Sequence, residues 1–187
     1  MKSLKSTGLM LATAFLFTIA SAQPMKEETV MVGGAAMFPS KTIVENALNS
    51  KDHTTLVAAV KAAGLVETLM SAGPFTVFAP TNVAFGMLPA GTVETLVKPE
   101  NKAKLTGILT YHVVSGKLDA NALKMKIKEG KGTAVLTTVA GGKLWVMKKD
   151  GNYLLKDENG HMATITIKDV YQSNGVIHVI DHVVLPK

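Results

Sequence analysis

Cysteine is absent from this chain of 187 residues. Its absence excludes disulfide bonds, thiol nucleophiles, thiolate metal sites and a lipid anchor carried on cysteine. Stability must then come from a buried core, and a chain of this length with 47% hydrophobic residues can build one. The composition predicts a single globular domain with no disulfide partner.

Arginine is also absent, since all 20 basic residues are lysine. Proteins that bind nucleic acids usually exploit the planar arginine fork, so we expect no nucleic-acid partner. The net charge of +6 is spread along the chain, and its densest group is Lys124, Lys126 and Lys128. We expect the charge mainly to keep the protein solvated, with weak attraction to anionic envelope polymers as the alternative.

The longest uncharged run near the N-terminus is too short to span a membrane. Lys2 and Lys5 precede this run, residues 8–20, and Ala20-Ser21-Ala22 forms a small-x-small cleavage site. This order of charge, apolar run and small residues is typical of a signal peptide. We expect residues 1–22 to be removed, without membrane insertion, and the mature protein to be periplasmic or extracellular.

The segment that follows, residues 23–39, has neither helical nor strand periodicity. We predict an N-terminal arm laid on a single domain formed by residues 40–187. Three methionines in the arm could suggest soft metal binding, but no histidine or cysteine joins them, and methionine commonly fills irregular gaps. They are Met25, Met31 and Met37.

The first half of the domain has a helical pattern. Apolar residues recur at helical spacing from Leu56 to Ala63, Thr54 or Thr55 can cap the start of that helix, and Gly64 can end it in a left-handed conformation. A short helix over residues 65–70 and a buried strand over residues 75–78 should follow. Thr81 and Asn82 then stand where a helix cap is needed.

After Tyr111 the pattern changes to strands separated by turns. Runs rich in β-branched and aromatic residues, such as 143–147 and 163–167, alternate with turn dipeptides. We therefore predict an α+β fold in which a helix-rich first half packs on an antiparallel wedge or sandwich. The four turn dipeptides are Gly141-Gly142, Asp150-Gly151, Asn159-Gly160 and Asn174-Gly175.

Catalytic and cofactor motifs are missing from the sequence. It contains no Gly-x-Ser-x-Gly elbow and no phosphate-binding glycine loop, and no pair of acids stands out. His178 and His182 would face the same way on a helix, but their branched neighbours favour a strand, which separates them by roughly 13 Å. We predict no catalytic residues, no cofactor and no metal site. The acids interpreted as turn residues are Asp119, Asp150, Asp157, Glu158 and Asp169.

Three separated segments resemble the signatures of the fasciclin domain. They are residues 73–89, residues 174–186 and, between them, the motif Tyr111-His112-Val113-Val114. The resemblance covers about residues 43–186, and it implies the fasciclin fold. It also implies that the following matching positions are structural signature residues: Thr81, Asn82, Phe85, Asn174, Gly175, His178 and Asp181.

Tyr111 and His112 match a motif that is associated with integrin-dependent adhesion in animal members of the family. The resemblance therefore makes the pair candidate binding residues. A structural interpretation is also open, because successive side chains of a strand point to opposite faces. On that interpretation one of the pair is buried and hydrogen-bonded while the other is half exposed.

The resemblance implies a non-catalytic adhesion or binding module. We expect the partner to be a cell-surface or envelope protein or a polysaccharide. The alternative is an envelope protein that binds a small ligand, or hydrolyses one, at a site that no motif reveals.

Overall fold

The computed structural model describes residues 28–187, so the predicted signal peptide and the start of the arm lie outside the described residues. The helices are α1 Ile43–Ala47, α2 Thr54–Ala63, α3 Val66–Met70, α4 Asn82–Gly86, α5 Thr92–Leu96, α6 Lys102–Tyr111 and α7 Ala120–Glu129, with single 3₁₀ turns at Lys51–His53 and Pro99–Asn101. The strands are β1 Val30–Val32, β2 Ala35–Met37, β3 Phe75–Pro80, β4 Val113–Ser115, β5 Thr133–Thr137, β6 Lys143–Lys149, β7 Asn152–Lys156, β8 Met162–Gln172 and β9 Gly175–Ile180. This is the predicted α+β class. No described helix has the length and apolar character to cross a membrane.

The helical first half follows its sequence pattern. Leu56, Val60 and Ala63 are buried on one face of α2, and Gly64 ends that helix with a φ of 72°. The predicted short helix is α3, and the predicted cap is confirmed at α4, where Thr81 Oγ1 accepts a hydrogen bond from the N–H of Ala84. Periodicity and capping therefore suffice to place these helices.

The main sheet has seven strands in the order β4-β3-β9-β8-β7-β6-β5. All its neighbouring strands are antiparallel except β3 and β9, which run parallel with Phe75 opposite Gly175. The prediction of an antiparallel sheet system is wrong for this central pair. Both strands are apolar and buried along almost their whole length, which is typical of parallel strands covered on both faces.

Two cores lie on the two faces of β3 and β9. Val77 and Val179 face the helices, in a core that includes Leu56, Val60 and Leu109. The neighbouring positions Phe78 and Ile180 face a second core, enclosed by β5 to β8 and α7. Because successive side chains of a strand point to opposite faces, β3 and β9 contribute to both cores and so connect the two halves of the domain.

The sheet curves until its two ends meet. Val114 of β4 forms a bridge with Thr138, just beyond β5, and the N–H of Val139 donates to the carbonyl of Val113 at 2.7 Å. The seven strands therefore form a nearly closed sheet around the second core.

Two segments differ from their sequence-based interpretation. Within the strand-rich second half, residues 120–129 form helix α7, and Asp119, interpreted as a turn residue, caps that helix by accepting from the N–H of Ala122 at 2.8 Å. The described part of the arm contains a hairpin, β1 paired with β2, whose Val32 and Met37 are buried. Short strands of three residues each are too brief to show a period.

Candidate functional site

The Tyr-His motif lies at the end of α6, not in a strand. Tyr111 is the last residue of the helix, His112 follows it, and both side chains are buried, with 0% and 3% exposed. The expectation that one of the pair would be half exposed is wrong, because the helix end turns both side chains inward. Neither presents a surface to a partner in this conformation.

Both ring nitrogens of His112 are engaged. Nδ1 lies 2.8 Å from the carbonyl oxygen of Ile108, to which it can only donate, and Nε2 accepts from the N–H of Val184 at 3.2 Å. This arrangement requires the neutral ring. Burial accordingly lowers the pKa of His112 to about 4, although the contact with Ile108 and the charge of Asp157 act to raise it.

Tyr111 connects the end of α6 to the far side of the sheet. Its hydroxyl donates to the carbonyl of Lys143 at 2.6 Å and accepts from the N–H of Glu158 at 3.2 Å. Burial raises the pKa of Tyr111 to about 12, so the hydroxyl keeps its proton at physiological pH. Its ring packs against Gly142, where a Cβ would approach Tyr111 Cε2 to 2.7 Å.

The signature residues after β3 hold two helices together. Asn82 Oδ1 accepts from the N–H of Thr55 at 2.9 Å, and its Nδ2 donates to the carbonyl of Lys51 at 2.8 Å. The predicted side-chain cap at Thr54 or Thr55 is not formed, since the start of α2 is capped by this distant amide instead. Phe85 is buried in the core below.

Asn174 connects three segments with one amide. Oδ1 accepts from the N–H of Ile43 at 3.0 Å, and Nδ2 donates to the carbonyls of Leu69 and Ser71 at 2.8 and 2.9 Å. The side chain thereby stabilises the start of α1 and the end of α3 from the turn before β9. Gly175 follows, and a Cβ there would overlap the carbonyl oxygen of Phe75 on the neighbouring strand.

His178 is fully buried in β9. Its Nε2 lies 2.8 Å from the carbonyl of Leu118, its Nδ1 accepts from the N–H of Asp169 at 3.3 Å, and its ring stacks on Phe78. Burial lowers the pKa of His178. As with His112, the polar atoms are used by the backbone.

Asp181 and His182 follow β9. Burial would raise the pKa of Asp181, but hydrogen bonds from His182 and from the N–H of Thr164 outweigh it, so the pKa is lowered. Because His178 is in the core, the two histidines of this segment do not converge. Within residues 28–187, no three His, Asp or Glu side chains are grouped so that they could hold a metal ion.

An exposed apolar surface lies on the outer side of β5 to β8. Val135 of β5 stands opposite Trp145 of β6, and Met147 of β6 stands opposite Leu154 of β7. Met162 of β8 lies in the same row as Trp145, on the far side of β7. Val135 and Met162 are 55% and 40% exposed, and the other three are partly exposed. We call this surface, Val135, Trp145, Met147, Leu154 and Met162, the Trp145 face.

Lysines accompany the Trp145 face. Lys156 lies between Trp145 and Met162 in the same row, while Lys143 and Lys149 occupy the same side of β6 on either side of Trp145 and Met147. The strands β5, β6 and β7 contain no acid. No sequence motif marks this surface, although the alternation in Lys143–Met147 already puts Trp145 and Met147 on one side of a strand.

A cavity of about 160 Å³ lies between α1, α2, α3 and β3, and we call it the α2 cavity. Its walls include Leu56, Val60, Leu69, Val77 and Leu109, so they are apolar. No sequence motif marks it, because its lining residues are indistinguishable from ordinary core residues.

Known proteins resemble this chain at the level of sequence and of fold. Residues 51–186 match the sequence profile described as the Fasciclin domain. The chain is 51% identical to Protein sll1483 of Synechocystis over 160 residues, 86% of this chain and 82% of that protein. It is 34% identical to the Immunogenic protein MPB70 of Mycobacterium bovis over 172 residues, 89% of this chain and 74% of that protein.

A solved structure shares the fold. The structure is described as a FAS1 domain pair from the insect cell adhesion molecule Fasciclin I, and it matches with a TM-score of 0.70 and 19% identity over 79% of this chain and 52% of that chain. The profile match covers both signature segments and the Tyr-His motif between them. The chain belongs to the fasciclin domain family.

Proposed function

We propose that this protein is an exported, non-catalytic adhesion module that binds an anionic cell-surface or envelope polymer through the Trp145 face. Export rests on the signal-peptide pattern of residues 1–22. Adhesion rests on the family, which includes a fold relative described as a cell adhesion molecule. We choose the Trp145 face as the contact surface because it combines exposed apolar side chains with lysines.

Burial argues against direct contact through Tyr111 and His112. Their polar atoms are bonded to backbone groups of the same chain, so a partner could reach them only after α6 and the C-terminal segment separate. A contact surface has to lie elsewhere. We assign Tyr111 and His112 a structural role.

The composition of the Trp145 face suits binding. Tryptophan is enriched among residues that carry most of the energy of an interface, and methionine adapts to irregular surfaces. Lys143, Lys149 and Lys156 give the face a positive charge, with no acid on β6 or β7 and with Glu158, just after β7, beside Lys143. A partner that carries acidic groups beside apolar ones complements this surface, and its binding weakens as salt increases.

The non-catalytic assignment rests on how the buried polar groups are used. The ring nitrogens of His112 and His178 are bonded to backbone groups, and the carboxylate of Asp157 is bonded to backbone N–H groups and to the ring of His161. None of these atoms is left directed into a cleft. General acid or base catalysis requires a group within reach of a substrate proton. These side chains are placed to hold the fold.

Attachment of a deletion strain, complemented with variants, tests the proposal. The wild-type gene should restore attachment to surfaces and host cells, whereas Trp145→Ala should not, with an unchanged melting temperature of the purified domain. Met125→Ala, at a residue that is 63% exposed on α7, is the matched control and should behave as wild type. Normal attachment of the deletion strain, together with no partner captured by the purified domain, would refute the function. Full attachment with Trp145→Ala would show that the Trp145 face is not the contact surface.

A further inference from the structure

The α2 cavity has the size and lining of a binding site for an apolar group. Its volume of about 160 Å³ is close to that of an engineered cavity of about 150 Å³, lined by Leu, Ile and Phe, that stays dry and binds benzene. It is formed by elements on the helical side of the domain. It is therefore separate from the Trp145 face and does not depend on the proposed adhesion.

The inner wall offers a ligand almost no hydrogen-bonding partner. His112 lines the cavity, but both its ring nitrogens are already bonded, to Ile108 and Val184. The hydroxyl of Thr110 donates to the carbonyl of Thr106 at 2.7 Å. Water needs two to four polar partners to be held in a cavity, so this interior favours a hydrocarbon group.

Exposed side chains mark the edge of the cavity. Leu48 and Met70 are 52% and 41% exposed, which gives the cavity an apolar rim. Glu45 also lines it, but Oε2 of that carboxylate accepts bonds from the N–H and hydroxyl of Thr42, both at 2.7 Å. These bonds hold the carboxylate to its own helix as part of a capping box.

Lys61 is the cation of the cavity lining. Its side chain is exposed near the end of α2, and its ammonium has no ion pair or hydrogen bond with any other of residues 28–187. An apolar interior with an unpaired lysine among its lining residues fits a molecule with a hydrocarbon chain and one negative end. A neutral apolar molecule would use only the first of these features.

We propose that the α2 cavity binds an aliphatic carboxylate, with the hydrocarbon chain in the cavity and the carboxylate paired with Lys61. The volume limits the enclosed part of the chain to about six carbons, the size of benzene. An acid of about eight carbons then fills the cavity and extends to the ammonium.

Titration with octanoate, and separately with octan-1-ol, tests the site. Methyl signals of Leu56 and Val60 in NMR spectra should shift on addition of octanoate, and octan-1-ol should bind more weakly. Lys61→Gln should weaken octanoate binding about two- to fivefold, the range of an exposed ion pair, and leave octan-1-ol binding unchanged. Lys124→Gln, at an exposed lysine of α7 that lies outside both the cavity and the Trp145 face, is the matched control and should bind octanoate as wild type.

A filled cavity provides a second test. Val57→Trp, at a half-buried lining residue, should abolish binding of both probes, and Val66→Phe serves the same purpose if the first variant melts early. Methyl signals that do not move with either probe would overturn the site. Equal binding of octanoate and octan-1-ol, with no effect of Lys61→Gln, would overturn the carboxylate assignment.

Discussion

The imidazole of His112 accepts a hydrogen bond from the backbone N–H of Val184, with 3.2 Å between Nε2 and N. His112 lies at the end of α6, whereas Val184 lies in the segment after β9. Because Nδ1 of the same ring donates to Ile108, the connection exists only while the ring is neutral. A family-typical histidine here ties a helix end to the C-terminal segment.

Removing this ring should destabilise the domain. His112→Ala loses two hydrogen bonds and leaves the N–H of Val184 buried without a partner, at an expected cost of about 1 to 3 kcal/mol. Urea unfolding measures the loss, and any adhesion defect should follow the fraction unfolded. His182→Ala, at a histidine whose side chain is 49% exposed, should change stability by less than about 0.5 kcal/mol. Lost attachment with an unaltered His112→Ala unfolding curve would contradict the structural role.

Stability should fall between pH 6.5 and pH 4. The folded pKa of His112 is about 4, below the unfolded value of about 6.5, so the unfolded state binds a proton first. This contribution to the free energy of unfolding is complete above pH 6.5 and is lost as the pH falls towards 4, about 3 to 4 kcal/mol in total at about 1.4 kcal/mol per pKa unit. Burial lowers the pKa of His178 and His53 as well, and they add to the slope.

His112→Gln separates this contribution from the others. The free energy of unfolding of this variant, measured by urea titration at several pH values, should depend less steeply on pH than that of the wild type over the same range. The difference in slope should correspond to about one proton bound on unfolding, or about 1.4 kcal/mol per pH unit. A wild-type slope that the variant leaves unchanged would show that the His112 ring does not stay neutral in the folded state.

Asn174 should be among the residues whose truncation costs most. Asn174→Ala leaves the N–H of Ile43 and the carbonyls of Leu69 and Ser71 without their partner, so we expect a loss of about 2 to 4 kcal/mol. Asn159→Ala is the matched control, because that exposed amide bonds only to the carbonyls of Leu185 and Pro186. Chemical unfolding should show a clearly larger loss of unfolding free energy for Asn174→Ala than for Asn159→Ala. Equal losses would show that the amide of Asn174 is dispensable.

Gly175 should not tolerate a side chain. Gly175→Ala places a methyl group against the carbonyl oxygen of Phe75 and forces β3 and β9 apart, at an expected cost of about 2 kcal/mol or more. Gly86→Ala, in α4 with open space around it, should instead be neutral or stabilising by up to about 1 kcal/mol. Thermal melts of both variants check the contrast, and an unchanged melt for Gly175→Ala would refute the close approach.

Processing after Ala22 can be checked directly. Mass spectrometry of protein from the native envelope should find a chain that begins at Gln23, since a small-x-small site follows the apolar run. Detection of Met1 on exported protein would exclude cleavage.

Local patterns predicted the helices well because their signals are local. The apolar spacing of α2, its terminal Gly64 and the cap at Thr81 all act within one or two turns. The parallel pairing of β3 and β9 could not be deduced in the same way, because it joins residues 75 and 175. The two buried apolar runs were compatible with parallel strands, but the turn dipeptides favoured hairpins.

The candidate site was predicted less completely. The resemblance identified Asn82 and Asn174, yet their role as distant helix caps depends on which chain segments meet in space. The structural interpretation of Tyr111 and His112 assumes a strand, whereas α6 continues to Tyr111. The α2 cavity arises from how α1, α2 and α3 pack, and no single residue indicates it.

The position of β9 constrains when this protein can fold. It is the last strand in the chain, yet it lies between β3 and β8 and contributes side chains to both cores. A nascent chain that ends before Gly175 lacks the strand on which either half must assemble. The polypeptide should therefore stay unfolded until β9 has been synthesised, so under the proposed export a chain that is still being synthesised would not yet have folded.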